Sequence, residues 1–340
     1  MTDSPLSSRV AAPAVLALPI SDGYVWRAAS VDDVDAIADC ARASSLVDHP
    51  NYIIPREDIE EEFEHSYVDP ALDSLVAVTP DGRVDAWGFV TLSPSQDSLV
   101  RSIMFGSVRP TVRGRGLGRQ LVAWQEGRGM QQLASSDKHL PGWLMAYAET
   151  RAPSAISTLE HAGFEISRYY LELRRDLADP IDQRDLPDGL ELVTWAPQND
   201  EAVRSARNDA FRDHWGSQST TEEQWRSFAT SPHTRRDLSV LAVDGDGEVA
   251  GFVLTSVTED DWPGQGFSSG YIGLVGVRRA WRGRGIAPTL LGHAMAAIKE
   301  KGLEKAVLDV DAENPSGALG LYEAVGFAES NRSVNLLKVF

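Results

Sequence analysis

The sequence predicts a tandem α/β (α+β) protein, two domains of one kind, each a sheet flanked by helices. Three observations carry this. A glycine-rich turn between an apolar strand pattern and a helical pattern occurs twice, at Arg113-Gly114-Arg115-Gly116-Leu117-Gly118 and at Arg282-Gly283-Arg284-Gly285-Ile286-Ala287, 169 positions apart. A Gly-Phe pair follows each turn, Gly163-Phe164 and Gly326-Phe327, 163 positions apart. The chain has 340 residues, more than one ordinary domain needs and enough for two. Two matched landmarks at nearly one offset mark a duplication with small loop differences.

The elements follow in order. Residues 24–29 read as a short strand. Ser30 caps a helix with Asp32 and Asp33 in its first turn and Val34, Ile37 and Ala38 on one face. Pro50 and Pro55 bracket a loop. Residues 56–65 read as an acidic helix whose glutamates form a solvated face. Strands at 74–78 and 85–92 flank the Pro80-Asp81-Gly82 turn and begin an antiparallel meander. A strand at 99–108 leads into the first glycine turn and a helix to about residue 132. A strand at 143–149, a helix at 153–161 ending at Gly163, and a strand at 164–174 complete the half. After a polar stretch the order repeats. There is a strand at 190–194, helices at 200–212 and 220–230, and strands at 238–243 and 249–257. A strand at 271–277 runs into the second turn and a helix at 288–301. A strand at 305–310, a helix at 315–325 and closing strands at 327–340 finish the chain. The expected organisation is an arm at 1–22, a domain at 23–178, a linker at 179–189 and a second domain at 190–340.

Composition narrows the function. A net charge of −18 argues against nucleic-acid binding, which needs basic surface, and leaves room for a cationic small substrate. Cys40 is the single cysteine, so no intrachain disulfide forms, which fits a cytoplasmic location. Cys40 falls on the helix face with Val34 and Ile37 and reads as packing. No apolar run reaches membrane-spanning length, so no membrane partner is expected. The apolar segment 10–20 is broken by Pro13 and Pro19 and preceded by one basic residue, Arg9; it reads as a flexible or docking arm rather than a signal peptide.

Glycines let backbone N–H groups approach a ligand closely, and a helix N-terminus favours an anion. A diphosphate is the natural guest of such a turn. Gly106 and Gly276 each interrupt the strand before a turn, which suggests a bulge or a close backbone approach.

Together these residues resemble the GNAT acetyltransferase superfamily, whose acyl-CoA motif runs Arg/Gln-x-x-Gly-x-Gly/Ala. Both turns match it. Asn314, Leu321-Tyr322-Glu323 and Gly326-Phe327 resemble the family's late helix, and the tandem arrangement is similar to that of two-domain, mycothiol synthase-type members. The resemblance implies a mixed, mostly antiparallel sheet in each half whose fourth and fifth strands are parallel and splay apart around acyl-CoA. It implies acetyl-CoA as co-substrate, with no metal. The expected cofactor-binding residues are Val275 and Val277 through their backbone, Arg282, Gly283, Arg284, Gly285, Ile286, Ala287 and Asn314. The first half contributes Val108, Arg113, Gly114, Arg115, Gly116, Leu117 and Gly118.

Acetyl transfer from a thioester to an amine needs a neutral amine, donors for the oxyanion and a proton for the departing thiolate. Tyr322 occupies the family's general-acid position. In the first half Leu159 and Arg151 stand where Tyr322 and Asn314 stand in the second, and a leucine supplies no proton. The second half is therefore expected to be catalytic, and the first structural or limited to binding acyl-CoA. The general base stays open among Glu313, Asp311 and His214, because Tyr271 stands where mycothiol synthase-like sequences carry a strand-four Glu. Asp260, Asp261 and Trp262 precede that strand on the expected acceptor side. The expected activity is N-acetylation of a small-molecule primary amine, with the mycothiol precursor as one acceptor; a non-catalytic acyl-CoA sensor is the alternative. A monomer or homodimer is expected.

Overall fold

The computed structural model describes residues 4–314 and 317–340. Pro315 and Ser316, the start of the expected late helix, lie outside them. The chain forms two compact units, residues 1–169 with 333–340, and residues 170–332.

Unit 1 contains α1 (Leu6–Arg9), β1 (Val25–Arg27), α2 (Val34–Asp48), α3 (Arg56–Glu61), α4 (Pro70–Asp73), β2 (Ser74–Val78), β3 (Val84–Leu92), β4 (Val100–Val108), α5 (Leu117–Ala134), β5 (Gly142–Glu149) and α6 (Pro153–His161). Strand β6 (Glu165–Asp176) begins here and ends in unit 2. Strands β1 to β4 are antiparallel neighbours, and β4 runs parallel to β5 from Val100↔Gly142 to Met104↔Ala146. Side chains alternate across a strand, so each strand feeds two cores. Val100, Met104, Leu144 and Ala146 pack under α5 with Leu117 and Leu121. Val76, Trp87 and Phe89 pack on the other face with Ile37 and Cys40 of α2.

Unit 2 contains β7 (Leu190–Thr194), α7 (Asp200–Ala210), α8 (Glu222–Thr230), β8 (Val240–Asp244), β9 (Val249–Ser256), α9 (Trp262–Gln265), β10 (Ser269–Val277), α10 (Ile286–Glu300), β11 (Lys305–Asp311), α11 (Ala318–Ala324) and the start of β12 (Ala328–Val339). Val253, Ile272, Ala306 and Leu308 lie under α10 with Leu290, Leu291 and Ala294. Leu241, Phe252 and Leu254 face Val203, Ala206 and Trp225 of α7 and α8. The parallel pair β10–β11 is short, running only from Ser269↔Lys305 to Tyr271↔Val307 before the strands part. The mixed sheet with a splayed parallel pair is the expected fold.

The closing strands differ from a simple repeat of halves. Beside β5 in unit 1 lies the end of β12, from Ser333↔Glu149 to Val339↔Trp143. Beside β11 in unit 2 lies the end of β6, from Lys305↔Asp176 to Asp311↔Tyr170. Each unit thus takes its last strand from the other half of the sequence, and the compact units depart from boundaries at 178 and 190. A strand's own residues satisfy only its alternation pattern; they do not name the neighbour, and β6 and β12 carry similar patterns.

The N-terminal segment is docked. Leu6 is fully buried and sits against Gly142, where an added Cβ would come within 2.6 Å of it. The Leu6 amide donates to the Lys138 carbonyl at 2.9 Å, and the Gln131 amide donates to the Pro13 carbonyl at 2.9 Å. Burying a leucine contributes about 1.5–3 kcal/mol to that docking. The segment expected as a linker runs against α10: the Asp182 carbonyl comes within 2.3 Å of the position a Cβ would take at Gly292. The acidic stretch 56–65 is not wholly solvated. Helix α3 ends at Glu61, Ile59 is buried, and the Glu62 carboxyl is enclosed. Enclosure with Glu61 and Asp58 nearby pushes its pKa up to about 7.

Candidate active site

In unit 2 the second glycine turn is held by its own arginines. The Arg282 guanidinium donates to the Ala210 carbonyl at 2.7 Å and the Val277 carbonyl at 3.3 Å. Arg279 pairs with Asp213, and the Arg284 guanidinium lies 4.7 Å from the Trp281 ring centroid. The arginines therefore brace the turn rather than standing free, so the N–H row is the feature suited to an anion. Gly283 and Gly285 have φ of 76° and 78°, a region where a side chain is strained, and an added Cβ at either would meet nothing within 4 Å. Gly285 is the N-cap of the 15-residue α10 and carries no side-chain cap. The turn from Gly283 through Ala287 thus has open space beside its glycines and lies at the positive end of a helix dipole, the setting in which backbone N–H groups favour an anion.

Unit 1 repeats this geometry. Gly114 and Gly116 have φ of 79° and 89°, and Gly116 caps α5. Arg113 donates to the Val108 carbonyl at 2.9 Å and pairs with Asp48 at 2.6 Å. One repeated feature escapes the sequence reading. Asp48-His49 stands at the C-terminal end of α2 and Asp213-His214 just beyond that of α7, and each Asp faces the arginine that opens the turn, Arg113 or Arg282. The two dipeptides lie 165 positions apart, close to the duplication offset, and that spacing was the available signal.

The bulge in β10 is not at Gly276. The register shifts between Ile272 and Leu274, leaving Gly273 as the extra residue. Gly276 instead admits the Phe252 ring, which a Cβ would meet at 2.3 Å. Gly106 answers the same need with φ 151°, its Cβ position 2.2 Å from the Trp87 carbonyl. Both glycines serve close approach. The bulge moves the re-aimed backbone upstream of Val275 and Val277, to Gly273 and Leu274. Val275 and Val277 remain in the ladder opposite Val253 and Gly251.

Tyr322 lies on α11, 8% exposed, its ring 6.1 Å from Phe327. Burial alone pushes its phenol up to about 12. In unit 1 Leu159 fills the matching place and packs into the core with Phe164. Cys40 is buried, and its thiol is pushed up to about 11, as a packing residue should be.

The base candidates separate. His214 lies 3.3 Å from the Asn314 side chain, so the α7-side loop and the segment before α11 meet. Glu313 is exposed in the turn after β11, its amide donating to the Asp311 carboxylate at 2.9 Å. Asp311 is buried and carries that turn. Tyr271 donates its phenol to Asp309 at 2.8 Å, a partner the sequence reading did not consider. Asp261 is buried, and Trp262 donates to the Ser269 carbonyl at 3.3 Å. No group of acidic, histidine or cysteine side chains among the described residues could hold a metal ion, and no described helix is long and apolar enough to cross a membrane.

Splayed parallel strands with an anion cradle beneath define an acyl-CoA-binding fold. Residues 200–327 match the Acetyltransferase (GNAT) family. A mycothiol acetyltransferase of Salinispora arenicola is 32% identical over 238 residues, 67% of this chain and 70% of that protein. One from Thermobispora bispora is 30% identical over 71% of this chain and 76% of its own. The GCN5-related N-acetyltransferase from Sphaerobacter thermophilus is 28% identical, with a TM-score of 0.68 over 94% of this chain and 97% of that one. A tandem GNAT protein from the clavulanic acid biosynthesis pathway, 17% identical, shares the fold with a TM-score of 0.65 over 93% of this chain and 98% of that one. The chain belongs to the GNAT acetyltransferase family. It is a tandem member, similar to the mycothiol acetyltransferases, and an acetyl-CoA-dependent N-acetyltransferase.

Proposed function

We propose that unit 2 carries the chemistry and transfers acetyl to the primary amine of a small molecule. The observation that supports this is the asymmetry between Tyr322 and Leu159 on otherwise matching cradles. Acetyl-CoA supplies an activated thioester. The N–H groups of Gly283, Arg284, Gly285, Ile286 and Ala287 would hold its diphosphate, with Asn314 lining the path. The backbone at Gly273 to Val275, with Val277 below it, would face the thioester oxygen as negative charge develops there.

The role of Tyr322 follows from magnitudes. A phenol near 12 keeps its proton at any working pH. Giving that proton fully to a thiolate, whose conjugate thiol titrates at about 8.5, is uphill. Tyr322 would therefore act as a neutral hydrogen-bond donor to the leaving sulfur, which takes its proton finally from solvent. His214 is the favoured base, since imidazole is the side-chain type suited to proton transfer near neutrality and His214 meets Asn314 at 3.3 Å. The first unit, with Leu159, would bind acyl-CoA without turnover.

A cysteinyl amine in the mycothiol precursor is the acceptor favoured by the relatives' shared name. Incubation with acetyl-CoA and a panel of primary amines, read by mass spectrometry of the acetylated product, tests the reading. A sensor would bind acetyl-CoA and form no product with any amine.

A further inference from the structure

The polar pair formed by Tyr271 and Asp309 has no part in the roles assigned so far. Strands β10 and β11 stay paired only as far as Tyr271↔Val307. Asp309 is two residues further along β11, on the same face as Val307 and in the first open rung. Ala306, Leu308 and Val310 point to the α10 core, so Asp309 and Tyr271 project from the opposite face, on which α7 and α8 also pack. Both are exposed. The Tyr271 ring leans over the bulge residue, its Cε1 3.4 Å from the position a Cβ would take at Gly273. The pair therefore stands beside the backbone that would face the thioester oxygen, on the side from which an acceptor must come.

Charged neighbours on β6 and β11 have contacts of their own. Glu172 of β6 is in register with Asp309 and pairs with Arg174 at 2.9 Å. Arg174 and Lys305 both lie over the Phe267 ring, at 5.0 and 4.6 Å.

Resting on the reading of unit 2 as the transferase, we propose that Asp309, oriented by the Tyr271 phenol, receives the ammonium group of the acceptor and selects a cationic amine. A carboxylate that already accepts the Tyr271 phenol is placed to bind a cation rather than to relay a proton. It is a good partner for an aliphatic ammonium, through a charge-assisted hydrogen bond. Asp309 is thus the specificity-determining group that touches substrate, and Tyr271 is a positioning residue that fixes the carboxylate rotamer. No proton moves through Asp309; the ammonium loses its proton elsewhere before its nitrogen attacks.

The test uses the full chain with CoA bound and two probes, L-cysteinamide, which is cationic, and N-acetyl-L-cysteinamide, which is not. Calorimetry at pH 7 compares wild type, Asp309→Asn and Tyr271→Phe. Loss of one charge-assisted contact weakens cysteinamide by about ten- to hundredfold in Asp309→Asn. Tyr271→Phe weakens it less, and the acetylated probe does not distinguish the proteins. In turnover the KM for the amine rises while the KM for acetyl-CoA holds, which a general loss of structure would not produce. Equal affinity of wild type and Asp309→Asn for cysteinamide, including no binding by either, overturns the proposal. Discrimination between the probes without any acetylated product would instead overturn the transferase reading and leave the ammonium site standing.

Discussion

Replacing Tyr322 by phenylalanine removes one oxygen from a buried ring, and two consequences follow. Among the described residues the hydroxyl has no hydrogen-bond partner, and burial is the sole cause of its raised pKa. Its loss therefore breaks nothing in the fold, and the melting temperature at pH 8 stays within a degree or two. Catalysis behaves otherwise. A neutral donor to a sulfur gaining charge is worth about 1.5–3 kcal/mol, so kcat falls by roughly ten- to hundredfold. The KM for acetyl-CoA is nearly unchanged, since the bond matters only as charge builds. The raised pKa also fixes a pH signature. Its stabilising contribution is complete below pH 10 and is lost as pH rises through 12. The wild type loses roughly 2–3 kcal/mol more than the variant across the whole window, of which about 1.4 kcal/mol is expressed by pH 11. Denaturant unfolding at pH 8 and pH 11, beside steady-state kinetics, measures both. A Tyr322→Phe enzyme with full kcat refutes the role assigned to the phenol.

Three further outcomes are expected. Gly276→Ala drives a Cβ into the Phe252 ring and costs about 1–3 kcal/mol in a melt of unit 2; a companion Phe252→Leu change recovers part of it. Glu62 is held at about 7, above its usual 4.5, so its contribution to stability is complete below pH 4.5 and lost as pH rises through 7. Glu62→Gln is therefore stabilised relative to wild type by on the order of 2–3 kcal/mol at pH 8 and by little at pH 4.5, as urea titrations at the two values will read. Leu6→Ala empties the site against Gly142 and destabilises unit 1 by about 2–4 kcal/mol in denaturant unfolding.

Much of the fold was legible because its signals are local. Positive-φ glycines at Gly114, Gly116, Gly283 and Gly285 can be read from spacing alone, and so can the strand that feeds each turn and the helix that leaves it. The Tyr322–Leu159 difference needed only counting from the Gly-Phe pairs. What was not legible depends on partners far away in sequence. The neighbours of β6 and β12 are chosen by register against β11 and β5. The bulge fell at Gly273 rather than Gly276 because Phe252, on the next strand, already fills the space beside Gly276. Tyr271 looked like a lost glutamate until Asp309 appeared beside it. The arginines of the motif looked available for phosphate, yet Arg282 is engaged by the Ala210 carbonyl.

The central claim, that unit 2 performs the transfer, is tested most directly by matched lesions in the two cradles. Gly285→Val and Gly116→Val each force a branched side chain into a left-handed backbone site and block the N–H row. Acetylated amine formed per minute from acetyl-CoA is the readout. The account predicts that Gly285→Val abolishes product while Gly116→Val retains most of it. Loss of product in Gly116→Val, with turnover kept in Gly285→Val, would contradict it.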